Sequence, residues 1–359
     1  MSLYRHIETE KIRFFSENVF QSYGFGKNDS KTITDVILRA DLYGIESHGA
    51  QRLIRYFNEI KSGMVDVAAK PEIVHETAVS ATIDAHKSMG HLAGMRGMEL
   101  AIQKAKAAGC GMVTVRNSNH YGIAGYYSNM ALDHDLLGVS MTNSEAISVP
   151  TFGSKAMIGS DPIAIAMPAD PVSFSFDAAT TVVPRGKLEV YNKNGKPLPN
   201  EWALDARGKP STNAAEVLNS IVHKLGGGIA PLGGSGEQNG GHKGYGLGII
   251  VEIFTAIFSG GLTANYVSTK PDHNGICHFF MALDYGIFGD KKAIKARFST
   301  FLDELRESEK AEDQSRIYIH GEKEAEAMKE RLSGQIPVNE KTLAEMKNIA
   351  EKQGVVWDL

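Results

Sequence analysis

The first sixty residues carry apolar side chains at helical spacing. Ile12, Phe15 and Val19 recur three or four residues apart, and residues 33–40 repeat the same pattern. This spacing places the apolar side chains on one face of a helix. We therefore expect three helices between residues 8 and 62.

From residue 72 the pattern changes to short runs rich in β-branched residues, with one long helical stretch at residues 90–108. Alternation of strands and helices is typical of α/β layers around a largely parallel or mixed sheet. The runs that predict strands are residues 72–75, 81–84, 112–116, 137–142, 162–167, 173–176 and 276–283.

A glycine-rich segment interrupts this alternation. Residues 226–246 contain ten glycines and lead into residues 247–258, which are apolar on most sides. A helix that is apolar all round is expected to be buried, so we predict a buried helix there. Two amphipathic helices are expected near the end of the chain, at residues 291–306 and 340–352.

Composition narrows the class of protein. The chain has 359 residues, 42% of them hydrophobic, and a net charge of -4, which argues against a nucleic-acid surface or a polybasic membrane segment. Cys110 and Cys277 each lie in an apolar run and are predicted to be reduced core residues. The polar first ten residues predict no signal peptide, and residues 247–258 are too short to cross a bilayer. We expect a cytoplasmic protein.

His120 follows a predicted strand and precedes a helical stretch, in a loop with Gly122 and Gly125. Ligands of open α/β sheets bind near the carboxyl ends of strands. A histidine at such a place suits proton transfer, because its ordinary pKa is close to neutrality. The alternative is a loop histidine that is hydrogen-bonded to nearby backbone.

A second candidate cluster begins at Ser47 and His48. Arg52 follows, and Tyr56 lies four residues further on, so both would project from one helix face. The guanidinium fork binds a carboxylate through two hydrogen bonds, which predicts a carboxylate pocket. The alternative is a solvated pair of surface arginines, and Arg55 is predicted to lie on a different face with no role.

Further candidates are less distinctive. Lys243, among glycines before a helix, could bind an anion or belong to a flexible lid. Asp177 could orient a cofactor or a histidine, or cap the following segment, and Asp161 has the pattern of an ordinary turn residue before proline. Metal-ligand spacings and the two common glycine-rich phosphate loops do not occur, so neither a metal site nor a Rossmann fingerprint is predicted.

Taken together, these motifs resemble the malate/L-lactate dehydrogenase type 2 family, whose members include sulfolactate and ureidoglycolate dehydrogenases, diketogulonate reductase and a cyclic-imine reductase. The resemblance covers nearly the whole chain in order. It rests on Ser47-His48-Gly49 with Arg52, residues 119–127, Thr142-Asn143-Ser144, Val149-Pro150, Phe152-Gly153, residues 177–181, residues 243–247 and His320-Gly321-Glu322.

The resemblance implies a mixed-sheet, non-Rossmann NAD(P)-binding fold of the sulfolactate dehydrogenase type. It further implies a homodimer, with an N-terminal helical part (1–70) packed against a C-terminal one (290–359) around an α/β cofactor domain (71–289). The coenzyme could be NAD or NADP. Where relatives often read Pro-Gly-Glu and Thr-Asn-Pro, this chain has His320-Gly321-Glu322 and Ser160-Asp161-Pro162.

Carried over residue by residue, the resemblance makes His120 the acid/base and Arg52 the ligand of the substrate carboxylate. The supporting substrate residues are Ser47, His48 and Tyr56. The residues expected to contact the dinucleotide are Ser144, Asp177, Ala178, Ala179 and Lys243.

The expected reaction is hydride transfer between a nicotinamide and a 2-oxo or 2-hydroxy acid, with malate/oxaloacetate favoured over lactate or sulfolactate. A ureidoglycolate or cyclic-imine substrate is the nearest alternative. The alternative from a different class of enzyme is a metal-dependent hydrolase with His48 and His120 as metal ligands.

Overall fold

The computed structural model describes residues 3–332 and 334–359. The strands in chain order are β1 (Tyr4–Glu8), β2 (Glu72–Glu76), β3 (Ser80–Asp84), β4 (Cys110–Ser118), β5 (Leu137–Thr142), β6 (Ile163–Met167), β7 (Phe174–Ala178), β8 (Ala203–Leu204), β9 (Gly228–Ile229), β10 (Ile276–Leu283) and β11 (Gln335–Asn339). The helices are α1 (Thr9–Ser22), α2 (Lys27–Leu42), α3 (Leu53–Lys61), α4 (Gly90–Ala108), α5 (Ala124–Met130), α6 (Arg185–Lys193), α7 (Ala214–His223), α8 (Gly241–Glu252), α9 (Lys291–Glu307), α10 (Glu322–Leu332) and α11 (Glu340–Gln353).

A seven-stranded mixed sheet in the order β2-β3-β4-β10-β5-β6-β7 forms the centre of the fold. Only the β3–β4 pair is parallel, and the other five neighbouring pairs are antiparallel. The expected mixed-sheet α/β fold is thus confirmed. The seven strand runs and the three N-terminal helices read from the sequence are present, with boundaries shifted by a few residues at most.

Helix α4 lies against the sheet because small residues line its contact face. A Cβ atom on Gly97 would stand 2.5 Å from the Phe280 ring, and one on Gly94 would stand 2.7 Å from the Tyr127 ring. Glycine at these two positions therefore lets the helix approach β10 and α5 closely, and the buried side chains around it form one hydrophobic core.

A second core joins the two ends of the chain. Strand β1 pairs antiparallel with β11, and buried residues of α1, α2 and α3 pack with those of α11 in one cluster. Neither short strand was predicted from the sequence. The division into helical parts at residues 1–70 and 290–359 around residues 71–289 stays a prediction.

The prediction of a buried helix at residues 247–258 is wrong. In the single chain, α8 and the π-helical turn Ile253–Ile257 that continues it bury their smaller side chains, such as Val251 and Ala256. The long apolar side chains on the other side are 38–59% exposed; they are Ile249, Ile250, Ile253, Ile257 and Phe258. We call these five residues the α8 face.

Two absences bear on the class of protein. Within residues 3–332 and 334–359, no helix combines the length and the apolar character needed to cross a membrane. Cys110 and Cys277 are both free, the first partly exposed and the second buried. Cytoplasmic location stays a prediction.

Candidate active site

The buried carboxylate of Asp41 holds the loop between α2 and α3 in place. Two 3₁₀ turns, Glu46–His48 and Ala50–Arg52, connect the helices. Asp41, near the end of α2, is 4% exposed, and its Oδ2 accepts a hydrogen bond from the Ala50 N–H at 2.8 Å. A Cβ atom on Gly49 would stand 1.8 Å from the Asp41 carboxylate. Only glycine fits there, which explains the glycine after Ser47 and His48.

Helix α3 and its N-cap residue present four polar side chains at spacings of three, four and seven residues, which place them on one face. They are Arg52, Arg55, Tyr56 and Glu59. The Nε of Arg52 donates to the Ser47 carbonyl at 2.6 Å, and the Nε of Arg55 donates to Glu59 at 2.8 Å. Arg55 therefore shares the face with Arg52. The sequence-based view that Arg55 lies on a different face is wrong, because both arginines line the same pocket, although the spacing itself contained the signal.

His120 lies just beyond the end of β4. Asn119, the preceding residue, is buried and donates to the carbonyls of Lys87 and Ser88 at 2.9 Å, which fixes the loop. The hydroxyl of Tyr56 lies 2.8 Å from Nδ1 of His120. The His48 ring stacks on the His120 ring with centroids 5.5 Å apart, and Ser47 Oγ lies 2.9 Å from His48 Nδ1.

The backbone contact of His120 is weaker than its contact with Tyr56. The Gly122 N–H reaches Nδ1 at a donor–acceptor distance of 3.4 Å. Nε2 of His120 has no hydrogen-bond partner in the described part of the chain, and the residue lines the pocket. The alternative of a histidine bonded only to nearby backbone therefore does not describe its environment.

Burial and positive charge hold the two histidines neutral. Burial lowers the pKa of His120 well below 6.5, and the guanidinium of Arg55, the His48 ring and the guanidinium of Arg52 lower it further. Burial and the same two arginines lower the pKa of His48 to about 3. Burial raises the pKa of Tyr56, so its hydroxyl keeps its proton. Both rings are therefore uncharged at neutral pH when no anion is bound.

These side chains surround a pocket of about 490 Å³. Its wall includes the end of β5 and the start of α6. Five of the candidate catalytic and cofactor residues line it: Ser47, His48, Arg52, His120 and Ser144. Arg185 also lines the pocket but forms a 3.1 Å ion pair with Glu189, and Arg55 pairs with Glu59. Arg52 alone of these three arginines has no carboxylate partner among the described residues.

The expected cofactor residues are only partly brought together. Ser144 lies in the pocket wall, where its Oγ accepts from the Ser160 N–H at 3.0 Å. Asp177, Ala178 and Ala179 lie at and just beyond the end of β7 and do not line the pocket; Oδ2 of Asp177 accepts the Gly125 N–H at 2.7 Å. Asp177 thus binds the first turn of α5 rather than capping the segment after it.

Lys243 also lies outside the pocket wall. It sits in the first turn of α8, is exposed, and has no carboxylate partner in the described ranges. A free ammonium group at the start of a helix is compatible with an anion.

The view of Asp161 as an ordinary turn residue is wrong. The side chain is 0% exposed, and its two carboxylate oxygens accept from the backbone N–H groups of Ser144 and Gly159. Burial, together with the nearby Glu252 carboxylate, raises the pKa of Asp161 well above 3.8. Asp161 therefore anchors the Ser144 segment of the pocket wall.

The His320-Gly321-Glu322 segment packs beside β7. The His320 carbonyl accepts the Ser175 N–H at 3.1 Å, and its ring contacts Phe174 and Phe176 edge to face. Glu322 is buried and binds Arg306. This segment therefore supports β7, the strand that carries Asp177.

A metal site finds little support in this geometry. Within the described ranges, no group of three or more His, Cys, Asp or Glu side chains is arranged to hold a metal ion. His48 and His120 thus lack the third ligand that the hydrolase alternative requires.

Known proteins match both the sequence and the structure. A family model described as malate/L-lactate dehydrogenase matches residues 7–347. The malate dehydrogenase of Pyrococcus horikoshii is 43% identical over 353 residues, covering 98% of this chain and 96% of that protein. The L-sulfolactate dehydrogenase of Methanocaldococcus jannaschii is 35% identical over 94% of each protein. The solved structure of malate dehydrogenase from Entamoeba histolytica superposes with a TM-score of 0.94 at 34% identity, covering 99% of this chain and 100% of that one.

The chain belongs to the malate/L-lactate dehydrogenase family. It is therefore a 2-hydroxy-acid dehydrogenase, an oxidoreductase that acts on CH–OH groups. Membership in the malate/L-lactate dehydrogenase family also implies a nicotinamide cofactor.

Proposed function

We propose that this dehydrogenase interconverts malate and oxaloacetate with NAD or NADP, and that His120 is the acid/base. The observation that carries the proposal is the Tyr56–His120 hydrogen bond of 2.8 Å in a pocket that also contains an arginine without a carboxylate partner. An acid/base beside a free guanidinium suits a substrate that carries a carboxylate next to the reacting carbon.

Arg52 binds the carboxylate next to that carbon. Its Nε is occupied by the Ser47 carbonyl, which fixes the plane of the guanidinium and leaves both Nη groups for the acid. A planar fork held in this way orients a carboxylate through two charge-assisted hydrogen bonds. Ser47 and His48 support this arrangement because their side chains contact each other and the pocket.

His120 exchanges a proton with the substrate oxygen through Nε2, since Tyr56 occupies Nδ1. In oxidation the neutral ring would carry its proton on Nδ1, where the Tyr56 oxygen accepts it in place of the long Gly122 contact, and Nε2 would accept the hydroxyl proton. In reduction the ring must first be protonated. Binding an acid anion offsets the positive charge of Arg52 and Arg55, so the pKa of His120 rises when the oxo acid is present.

The dinucleotide would be held by Ser144 in the pocket wall, with Asp177, Ala178, Ala179 and Lys243 further along. Hydroxyl groups in the pocket and an unpaired ammonium group beyond it fit the carboxamide and phosphate groups of such a cofactor. When bound, the nicotinamide supplies or accepts the hydride. The chain's own residues orient the acid and move the proton.

The test is loss of reduced-nicotinamide absorbance with NADH or NADPH and, one at a time, oxaloacetate, pyruvate, sulfopyruvate and glyoxylate. Oxaloacetate should react fastest. His120→Ala should lower kcat by about 10²- to 10⁴-fold without weakening cofactor binding, because it removes the acid/base alone. His223→Ala, on an exposed helix, is the matched control. Full activity of His120→Ala would refute the assignment, and turnover of a cyclic imine in place of every oxo acid would refute the substrate.

We also infer that the protein is a homodimer that covers the α8 face. Five neighbouring long apolar side chains, each more than a third exposed, form the kind of surface that subunits bury. Ile257→Asp should therefore give a monomer by light scattering, whereas Val190→Asp, at another exposed position, should not. A monomeric parent protein would contradict this inference.

A further inference from the structure

We propose that Arg55 is a second anion receptor in the pocket, and that it selects 2-hydroxy and 2-oxo acids that carry a distal acidic group. The inference rests on the proposed function, because it assigns the far end of the same substrate. The ligand class is an acid with a carboxylate or sulfonate at each end. Monocarboxylic acids such as pyruvate would lack a partner for Arg55.

Arg55 is placed to share a substrate with Arg52. Arg52 is the N-cap of α3 and Arg55 lies three positions further on in its first turn; helical neighbours at this spacing have Cβ atoms about 5–6 Å apart. Both line the pocket that contains His120. Two long cationic side chains that diverge from adjacent turns can contact both ends of a four-carbon diacid.

The free donors of Arg55 point to a missing acceptor. Its Nε donates to Glu59 Oε1 at 2.8 Å, and its Nη groups have no acceptor within residues 3–332 and 334–359. The side chain is 34% exposed, which leaves it open to a ligand. Glu145 also lines the pocket but forms no hydrogen bond with Arg55, so it does not use these donors.

A chain of buried contacts fixes Arg55 relative to the acid/base. Glu59 is 8% exposed and accepts from Asn274 Nδ2 at 3.5 Å as well as from Arg55. Asn274 Nδ2 also donates to Asn119 Oδ1 at 2.7 Å, and Asn119 directly precedes His120. The receptor is thus held by the same network as the loop that carries His120, as a preorganised site requires.

Arg55 lowers the pKa of His120 even though its guanidinium is paired with Glu59. Among the charged groups, Arg55 has the largest effect in lowering the pKa of His120. Arg185 is a poorer candidate, because both members of its pair with Glu189 are more exposed, at 36% and 42%.

The experiment compares kcat/KM for oxaloacetate and for pyruvate in the wild type, Arg55→Gln and Arg55→Lys. Arg55→Gln should lower kcat/KM for oxaloacetate by about 10- to 100-fold, mainly through KM, since it removes hydrogen bonds to a charged group. The ratio of kcat/KM for oxaloacetate to that for pyruvate should fall by a similar factor. Pyruvate has no distal acid for Arg55 to bind, and any change in the pKa of His120 acts on both substrates. Arg55→Lys should restore part of the difference. Arg185→Gln, which removes the same charge from another part of the pocket wall, should leave the ratio of the two substrates unchanged.

Arg55→Gln leaves Glu59 as an unpaired buried carboxylate, which would destabilise the fold. The double variant Arg55→Gln/Glu59→Gln removes that charge and should show the same loss of preference for oxaloacetate. Equal losses for both substrates, or an unchanged ratio in both variants, would overturn the role of Arg55. A wild type that reduces neither acid would instead overturn the proposed function.

Discussion

Asp41 supports the active-site loop from a position where its ionisation is costly. Burial raises its pKa from 3.8 to about 7; the Ala50 hydrogen bond opposes this shift only in part. Because the pKa is higher in the folded chain, the folded chain holds this proton where the unfolded chain has lost it. The stabilising contribution is therefore complete below about pH 4 and is lost as the pH rises to about 7.

The replacement Asp41→Asn isolates this effect. The amide keeps the shape and an oxygen that can accept the Ala50 N–H, but it cannot ionise. Each pH unit between the two pKa values is equivalent to about 1.4 kcal/mol, so the wild type loses about 4 kcal/mol through Asp41 by pH 7. The variant keeps that free energy. The difference in free energy of unfolding, variant minus wild type, should increase by about 1.4 kcal/mol per unit from pH 5 to 7 and then level off.

Urea unfolding followed by far-UV circular dichroism at pH 5, 6, 7 and 8 measures this difference. Using the difference cancels the titration of all other groups, which the two proteins share. Asp133→Asn, at an exposed position, is the matched control and should give a curve parallel to that of the wild type. A parallel curve for Asp41→Asn would show that Asp41 is not held protonated by its surroundings, and the reasoning would fail.

Three further predictions concern the site and the core. Gly49→Ala should cost at least about 1–3 kcal/mol of stability and lower activity, because the new methyl overlaps the carboxylate beneath it; Gly236→Ala, with open space around it, is the control in thermal unfolding. Tyr56→Phe should lower kcat by about tenfold through loss of one hydrogen bond to His120, and an unchanged kcat would contradict that role. Cys277 should resist iodoacetamide at pH 8 until the chain unfolds, since burial raises its pKa to about 12; rapid labelling followed by mass spectrometry would contradict this.

The central sheet could be predicted because its strands are local patterns. Each of the seven runs is short and carries β-branched or aromatic residues, which is enough to identify a strand but not its neighbours. The pairing of β1 with β11 joins residues more than three hundred positions apart. Both strands are only five residues long. β1 has one buried residue, and β11 carries a proline between its two buried residues, so neither segment has a distinctive apolar pattern.

The exposure of the α8 face could not be predicted for a different reason. Apolar residues all round a helix indicate only that each side is covered, not whether the cover is the same chain. The single chain covers one side of α8. Composition gives no sign of which side the chain itself leaves uncovered, and this is why the expected burial is met on one side only.

Only part of the candidate site was predicted, because some of its residues lie in distinctive motifs and others do not. His120, Arg52 and Ser144 meet in one pocket, as the motifs indicated. Arg55 and Asp161 were misjudged because each resembled a common surface or turn residue when considered alone. For Arg55 the spacing with Arg52, Tyr56 and Glu59 was available in the sequence. For Asp161 no local pattern indicates that a residue before proline will be fully buried.

The arrangement of charge on α3 links recognition to proton transfer. A single arginine would bind a carboxylate, but its effect on His120 would end once that one charge was neutralised. With Arg52 and Arg55 both acting on the ring, the pKa of His120 depends on how many of them meet an anion. A diacid that contacts both arginines therefore raises that pKa more than a monoacid does. In the proposed mechanism reduction requires a protonated ring, so a diacid that contacts both arginines would favour protonation of His120 more than a monoacid would.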